Sequence, residues 1–77
     1  MKYRVVYQNE ETFDKAEFMI ETDTVDHVIE AVRESIANFK DTDNYYCEAF
    51  WQVENGEKCP DFYLSKSDGE ETQGFFN

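Results

Sequence analysis

Hydrophobic and polar positions alternate in two short stretches near the N-terminus. Residues 3–8, YRVVYQ, and 16–22, AEFMIET, are rich in β-branched and aromatic residues, and the polar segment NEETFDK joins them. This pattern predicts a β-hairpin with a long loop. In the second strand Phe18, Ile20 and Thr22 share one face, and we expect that face to point into the core.

The period then changes to that of an α-helix. Apolar residues recur at the i, i+3, i+4 and i+7 spacing, which predicts one amphipathic helix. The members of this stripe are Val25, Val28, Ile29, Val32, Ile36 and Phe39. Asp23 or Thr24 is suited to cap the helix, and the polar run KDTDN is expected to end it.

Two turn-forming dipeptides divide the remaining sequence into strands. Asn55-Gly56 and Asp68-Gly69 each suit a type I′ turn between strand-like residues. The pairs expected around the first turn are Cys47 with Leu64, Ala49 with Phe62, Trp51 with Pro60, and Val53 with Lys58. Pro60 lacks an N–H for the ladder, so the pairing is expected to be disturbed near it.

Around the second turn, Phe62 is expected opposite Phe75, and Tyr63 opposite Gly74, where the ring can cover the glycine. Together the elements predict one small α+β domain over residues 1–77, in the order β-β-α-β-β. It has two layers, an antiparallel sheet of four to five strands and one helix packed on one face. Residues 65–77 form either a fifth strand or a flexible tail.

The composition is strongly acidic. Eighteen Asp and Glu against seven Lys and Arg give a formal net charge of −11 at pH 7. Such a surface repels phosphates, so direct binding to nucleic acid or to an anionic membrane is disfavoured and a basic protein partner is favoured. No apolar leader and no membrane span are recognisable, which predicts a cytoplasmic protein.

Catalytic, cofactor and metal signatures are not found, so we predict a protein that is not an enzyme and needs no cofactor. Residues 41–52, DTDNYYCEAFWQ, begin like a calcium loop, but Tyr46 stands where Gly is required and Gln52 where Glu should close the shell. His27 with two cysteines is too few for a structural zinc site. Cys47 and Cys59 are expected on opposite faces of the hairpin, as free thiols.

Three carboxylates in DHVIEAVRE recur every fourth residue. On an α-helix Asp26, Glu30 and Glu34 form an acidic row with members about 6 Å apart along the axis, which approximates the spacing of phosphates along a nucleic-acid strand. Asp41 and Asp43 are expected to extend the row; the alternative is a solvated helix face. Acids also crowd the first loop and both β-turns, at Glu10, Glu11, Asp14, Glu54, Glu57, Asp68, Glu70 and Glu71.

The sheet face that points away from the helix is a second candidate surface. Tyr46, Phe50 and Tyr63 are expected there as exposed rings beside Glu48 and Asp61. Rings that anchor and carboxylates that steer a basic partner are typical of a protein-binding patch. The alternatives are that the C-terminal residues or a second copy of the chain cover these rings.

In its small size, acidity, ββαββ plan and lack of catalytic signatures, the chain resembles phage-encoded inhibitors of host defence, among them anti-CRISPR proteins and DNA mimics. The resemblance implies binding, in the host cytoplasm, to the basic nucleic-acid channel of a nuclease or surveillance complex. We therefore expect a non-enzymatic binding protein whose Asp26, Glu30 and Glu34 stand in for phosphates. The alternative is a small homodimeric structural or protein-interaction module whose acidity maintains solubility.

Overall fold

Five strands in one antiparallel sheet and one helical segment make up the fold in the computed structural model, which describes residues 1–53, 55–56 and 58–76. The elements are β1 (Lys2–Asn9), β2 (Lys15–Glu21), a 3₁₀ turn (Val25–His27) leading into α1 (Val28–Ile36), β3 (Tyr45–Trp51), β4 (Phe62–Ser67) and β5 (Glu70–Phe75). The strands lie in the order β2-β1-β3-β4-β5. The predicted α+β class is confirmed, and within the segment 65–77 the residues Glu70–Phe75 form the fifth strand. No helix in the described ranges is long and apolar enough to cross a bilayer.

The core lies between α1 and the sheet face that carries the odd-numbered residues of β1 and β3. Successive side chains of a strand point to opposite faces, so burial alternates along both central strands. The buried apolar residues are Tyr3, Val5, Tyr7, Ile20, Val28, Val32, Ile36, Tyr45, Cys47, Ala49, Trp51, Phe62 and Leu64. Ile20 confirms the inward face predicted for β2. Phe18 on the same face is half-buried, with its ring centroid 5.9 Å from that of Phe39.

The α-helix is shorter than the apolar stripe predicted. It ends at Ile36. Phe39 lies in the turn that follows, and the Phe39 N–H donates to the Ile36 carbonyl at 2.9 Å. The predicted caps, Asp23 and Thr24, do not cap α1, because a 3₁₀ turn precedes it and its N-cap position is His27. The His27 N–H donates to the Thr24 carbonyl at 3.3 Å within the 3₁₀ turn, and the Thr24 hydroxyl lies 2.8 Å from Nδ1 of His27. Thr24 therefore contacts the start of the helical segment, but α1 has no side-chain cap among the described residues.

The register predicted for β3 and β4 is confirmed at Cys47 with Leu64 and at Ala49 with Phe62. The predicted pairs Trp51 with Pro60 and Val53 with Lys58 are wrong, because the ladder ends at Ala49 and Phe62. The Trp51 N–H donates instead to Oδ1 of Asp61 at 2.8 Å, so a side chain takes the place of the next backbone acceptor.

Both predicted turn dipeptides have left-handed backbone conformations. Asn55 and Gly56 have φ values of 52° and 75°, and Asp68 and Gly69 have φ values of 51° and 83°. The second turn joins β4 to β5 with Tyr63 opposite Gly74 and Phe62 opposite Phe75, as predicted. Around the first turn, the described residues between Trp51 and Phe62 lie outside the strands, whereas positions 54 and 57, which would close a two-residue hairpin, are outside the described residues.

Cys47 and Cys59 are both free thiols, as predicted. The prediction that they lie on opposite faces of the hairpin is wrong. Cys47 is fully buried in β3, whereas Cys59 packs against the same core from the segment before β4, because the strand pairing ends before it reaches that residue.

Candidate protein-binding surfaces

The nine residues predicted to bind a partner lie in three separate places. Asp26, Glu30 and Glu34 are on the helical segment, Asp41 and Asp43 are in the loop after it, and Tyr46, Glu48, Phe50 and Tyr63 are on the opposite, outer face of the sheet. The helix and the outer face lie on opposite sides of the sheet, so one flat partner surface cannot contact both.

The acidic row on the helix is shorter than predicted. Glu30 and Glu34 lie one turn apart on the exposed side of α1, opposite the side that buries Val28 and Val32. Asp26 lies in the 3₁₀ turn, where rise and rotation per residue differ from those of an α-helix, so it does not continue their spacing. Neither Glu30 nor Glu34 forms a salt bridge within the described ranges.

Arg33 does not neutralise this row, because its guanidinium turns toward the sheet. Its Nε donates to Oε1 of Glu71 at 2.8 Å, and its Nη2 donates to Oε1 of Gln73 at 2.8 Å. Both acceptors lie on β5, so the contact joins the helix to the far edge of the sheet. Arg33 thus forms its salt bridge with Glu71, and the carboxylates of Glu30 and Glu34 face solvent.

A denser group of carboxylates lies at one end of the sheet. β1 and β4 end there and β2, β3 and β5 begin there, so the first loop, the helix exit and the β4–β5 turn come together. We call this region the acidic end. Its exposed carboxylates are those of Glu10, Glu11, Asp14, Asp41, Asp43, Asp68 and Glu70. None of them forms a salt bridge with another described residue.

Asn9 at the end of β1 holds the first loop and the helix exit together. Its side chain is fully buried, and Nδ2 donates to the backbone carbonyl of Asp41. Its Oδ1 accepts hydrogen bonds from the backbone N–H groups of Glu11 at 2.8 Å and Thr12 at 2.9 Å. Both sides of the amide are thus used, which fixes the backbone that presents the carboxylates.

Asn44 completes the connection between the three segments. Its Nδ2 donates to Oε1 of Glu11 at 2.7 Å, and its Oδ1 accepts from the backbone N–H of Asp68 at 3.1 Å. Its carbonyl accepts from the N–H of Glu10 at 3.0 Å. Sequence reasoning missed both asparagines. The signal for Asn9 was its place as the fourth inward position of β1, where a polar residue must find partners.

The outer face of the sheet is more balanced in charge. The register places Lys2, Arg4 and Lys15 there, against Glu17, Glu21, Glu48 and Glu70. The guanidinium carbon of Arg4 lies 4.8 Å from the centroid of the Phe50 ring, and its Nη1 lies 3.7 Å from Oε1 of Glu17. Most of the net charge of −11 therefore lies on other parts of the surface.

The three rings predicted to be exposed on the outer face, Tyr46, Phe50 and Tyr63, are half-buried. Arg4 covers Phe50, and the two tyrosines pack on each other. Tyr46 and Tyr63 stack with centroids 6.2 Å apart, and the Tyr46 hydroxyl donates to Oε1 of Glu48 at 3.1 Å. Burial and the bond to that carboxylate raise the pKa of the Tyr46 hydroxyl. Glu48 is consequently held by its neighbour on the same strand.

Concave regions near carboxylates are shallow. A depression of about 390 Å³ beside the β4–β5 turn is lined in part by Asp68 and Glu70, and both are exposed. In the described part of the chain no cluster of His, Cys, Asp or Glu is arranged to hold a metal ion.

No protein-family model matches the chain, and comparison with curated proteins and with solved structures gave no match. The charges and contacts of the acidic end, the helix and the outer face are therefore what supports a functional inference.

Proposed function

We propose that this protein is a non-enzymatic, cytoplasmic binding protein that occupies a basic, nucleic-acid-binding surface of another protein. The acidic end is the contact surface. The observation that carries the proposal is the convergence of exposed carboxylates from three loops, on a backbone that the buried Asn9 and the half-buried Asn44 hold in place.

Carboxylates that form no salt bridge with another described residue are suited to pair with a cation of another molecule. Like charges gathered at one end oppose folding, and a surface rich in Lys and Arg relieves that repulsion on binding. The fixed loops reduce the entropy lost in complex formation, because the groups that contact the partner are already ordered. Long-range attraction between the two surfaces also raises the association rate.

A nucleic-acid-binding surface is the basic surface that best fits an extended array of carboxylates. Such surfaces present Lys and Arg along the path of the phosphate backbone. Glu30 and Glu34 lie on α1, which runs toward the acidic end and so prolongs the array along the helix. On this proposal Asp41 and Asp43 are central contacts, Glu30 and Glu34 are peripheral ones, and Asp26 contributes least.

The test uses proteins of the source cell that are retained on immobilised duplex DNA. The purified protein should capture a member of this fraction, and duplex DNA should compete for it. Two variants separate the surfaces at equal net charge. One carries Glu10→Gln, Asp43→Asn and Glu70→Gln at the acidic end, and the other carries Asp26→Asn, Glu30→Gln and Glu34→Gln on the helix.

The acidic-end variant should bind the captured protein about tenfold or more weakly, with a smaller loss for the helix variant. Affinity should also fall steeply as salt rises, because the attraction is screened. Equal binding by the wild type and the acidic-end variant would contradict the proposal. So would capture that duplex DNA fails to reduce, since the partner would then be held outside its nucleic-acid site.

A further inference from the structure

β2 forms one edge of the sheet, and half of its backbone hydrogen-bonding groups point away from β1. Alternate residues of an antiparallel strand bond to a given neighbour. The Thr22 N–H donates to the Met1 carbonyl at 3.0 Å, so even-numbered residues of this strand face β1. The outward groups belong to Lys15, Glu17, Met19 and Glu21. Within the described ranges no other segment bonds to them.

Charged side chains on an edge strand usually oppose pairing with other strands. In β2 they permit one self-pairing. An antiparallel pair of two β2 strands centred on Phe18 places Lys15 of each copy opposite Glu21 of the other. Ala16 then faces Ile20, and Glu17 faces Met19. Opposite charges at this distance are favourable, so both ends of the pair are stabilised.

Neighbouring registers are penalised. Inward side chains of one copy lie beside inward side chains of the other only if the strands slide by an even number of residues. One such step places Glu17 opposite Glu21 in both halves, and the step in the other direction places the two Glu17 residues opposite each other. Like charges directly opposite are unfavourable. At the other edge, β5 carries Glu70 and Glu71 and no basic residue, so self-pairing there gains no ion pair.

Apolar contacts support the register centred on Phe18. Because Phe18 bonds toward β1, the two Phe18 residues would form a non-hydrogen-bonded pair, in which side chains are closest. Beside them a groove of about 400 Å³ opens between β2 and α1, and its lining includes Phe18, Met19 and Phe39. In the paired arrangement the inward side chains of a second β2 would point to this same side, where the groove offers space for them.

The net charge of −11 opposes self-association but does not forbid this arrangement. Antiparallel pairing directs the acidic ends of the two copies away from each other, in opposite directions. The remaining repulsion acts over a distance and is screened by salt. Dimerisation should therefore strengthen as salt rises, whereas binding to a basic partner weakens.

We propose that β2 is a dimerisation edge, where a second copy of this chain pairs antiparallel about a twofold axis at Phe18 and joins the two sheets into one. An interface of one strand pair is small, so the dimer is weak, with a dissociation constant between about 10 µM and 1 mM. The proposal is independent of the proposed function.

The test is sedimentation velocity of the full chain from about 10 µM to about 1 mM, in about 50 mM and about 500 mM NaCl. The wild type should approach a dimer with rising concentration, more so at the higher salt. Lys15→Glu and Glu21→Lys should each weaken dimerisation about tenfold, because each places like charges opposite at both ends. The double variant should restore it, at the wild-type net charge.

Met19→Pro is a second variant that does not depend on charge. It removes an outward N–H of the edge strand and leaves the bonds to β1 intact, so it should abolish the dimer while Met19→Ala retains it. Circular dichroism establishes that each variant is folded. A wild type that stays monomeric throughout, a double variant that fails to recover, a Met19→Pro dimer of wild-type strength, or assembly beyond a dimer would overturn the proposal.

Discussion

The ring of Tyr63 lies directly over Gly74 on the neighbouring strand. A Cβ atom on Gly74 would lie 2.7 Å from Cε1 and 2.7 Å from Oη of that ring, closer than side chains approach one another. The absence of a side chain at Gly74 thus lets Tyr63 lie flat on β5. The same ring contacts Phe76 at 5.6 Å between centroids and stacks on Tyr46, so this glycine supports the aromatic part of the outer face.

We predict that Gly74→Ala lowers the free energy of unfolding by about 1 to 2 kcal/mol, because the Tyr63 ring must leave its place and lose its contacts. Urea denaturation measures the change. In a Tyr63→Ala background the same substitution should cost nothing or stabilise slightly, since the obstacle is gone. An equal loss in both backgrounds would show that the ring is not the cause.

Asn9 should be the most sensitive polar position of the acidic end. We predict that Asn9→Ala lowers the free energy of unfolding by about 2 to 4 kcal/mol, because it leaves the Asp41 carbonyl and the N–H groups of Glu11 and Thr12 without their partner. Asn44→Ala is the matched control, with an expected loss of about 1 kcal/mol, since its partners lie nearer the solvent. Chemical denaturation compares the two; equal losses would be inconsistent with a special role for the buried amide.

Stability should fall at alkaline pH. Burial, and then the nearby Cys59 and Asp61, raise the pKa of Tyr3 from 10.0 to about 12; burial, and then Glu71, raise that of Tyr45 from 10.0 to about 12. Burial raises the pKa of the Cys47 thiol from 9.0 to about 12. Each group holds its proton more tightly in the folded state than in the unfolded chain. Between its ordinary pKa and its raised pKa in the fold, the group is therefore deprotonated mainly in the unfolded chain, and this favours unfolding.

The stabilisation from these groups is complete below about pH 9 and is lost as pH rises toward 12. In this pH range each group lowers the free energy of unfolding by up to about 1.4 kcal/mol per pH unit. Guanidinium denaturation at a series of pH values measures the slope. Tyr45→Phe removes one titrating group, so its curve should be shallower than that of the wild type; parallel curves would contradict the assignment.

Much of the fold follows from local patterns. Alternation in β1 and β3 determines which face is buried, and the left-handed preference of Asp68-Gly69 determines the register that brings Tyr63 over Gly74. Local patterns did not predict where the β3–β4 ladder ends. It ends where the Asp61 side chain, in place of a backbone carbonyl, accepts the hydrogen bond of the Trp51 N–H. The 3₁₀ turn before α1 depends likewise on a backbone bond that no side-chain pattern indicates.

The candidate surface was less accessible to sequence reasoning. Asp41 and Asp43 were identified, but their neighbours Glu10, Asp68 and Glu70 are far away along the chain, and only the strand order brings these residues to one end. The predicted acidic row assumed a regular helix through Asp26, and the local geometry interrupts it. Charge density is a tertiary property here, because each loop alone carries two or three acids.

The position of β1 between β2 and β3 has a consequence for the order of folding. β1 pairs with β2 across the loop of residues 10–14, but its second partner, β3, follows only after the helix. During synthesis the early hairpin therefore exposes the inner edge of β1 until residues 45–51 leave the ribosome. Closure of this long-range pair is expected to limit the folding rate, and a nascent chain that stops before it presents an unpaired strand to chaperones.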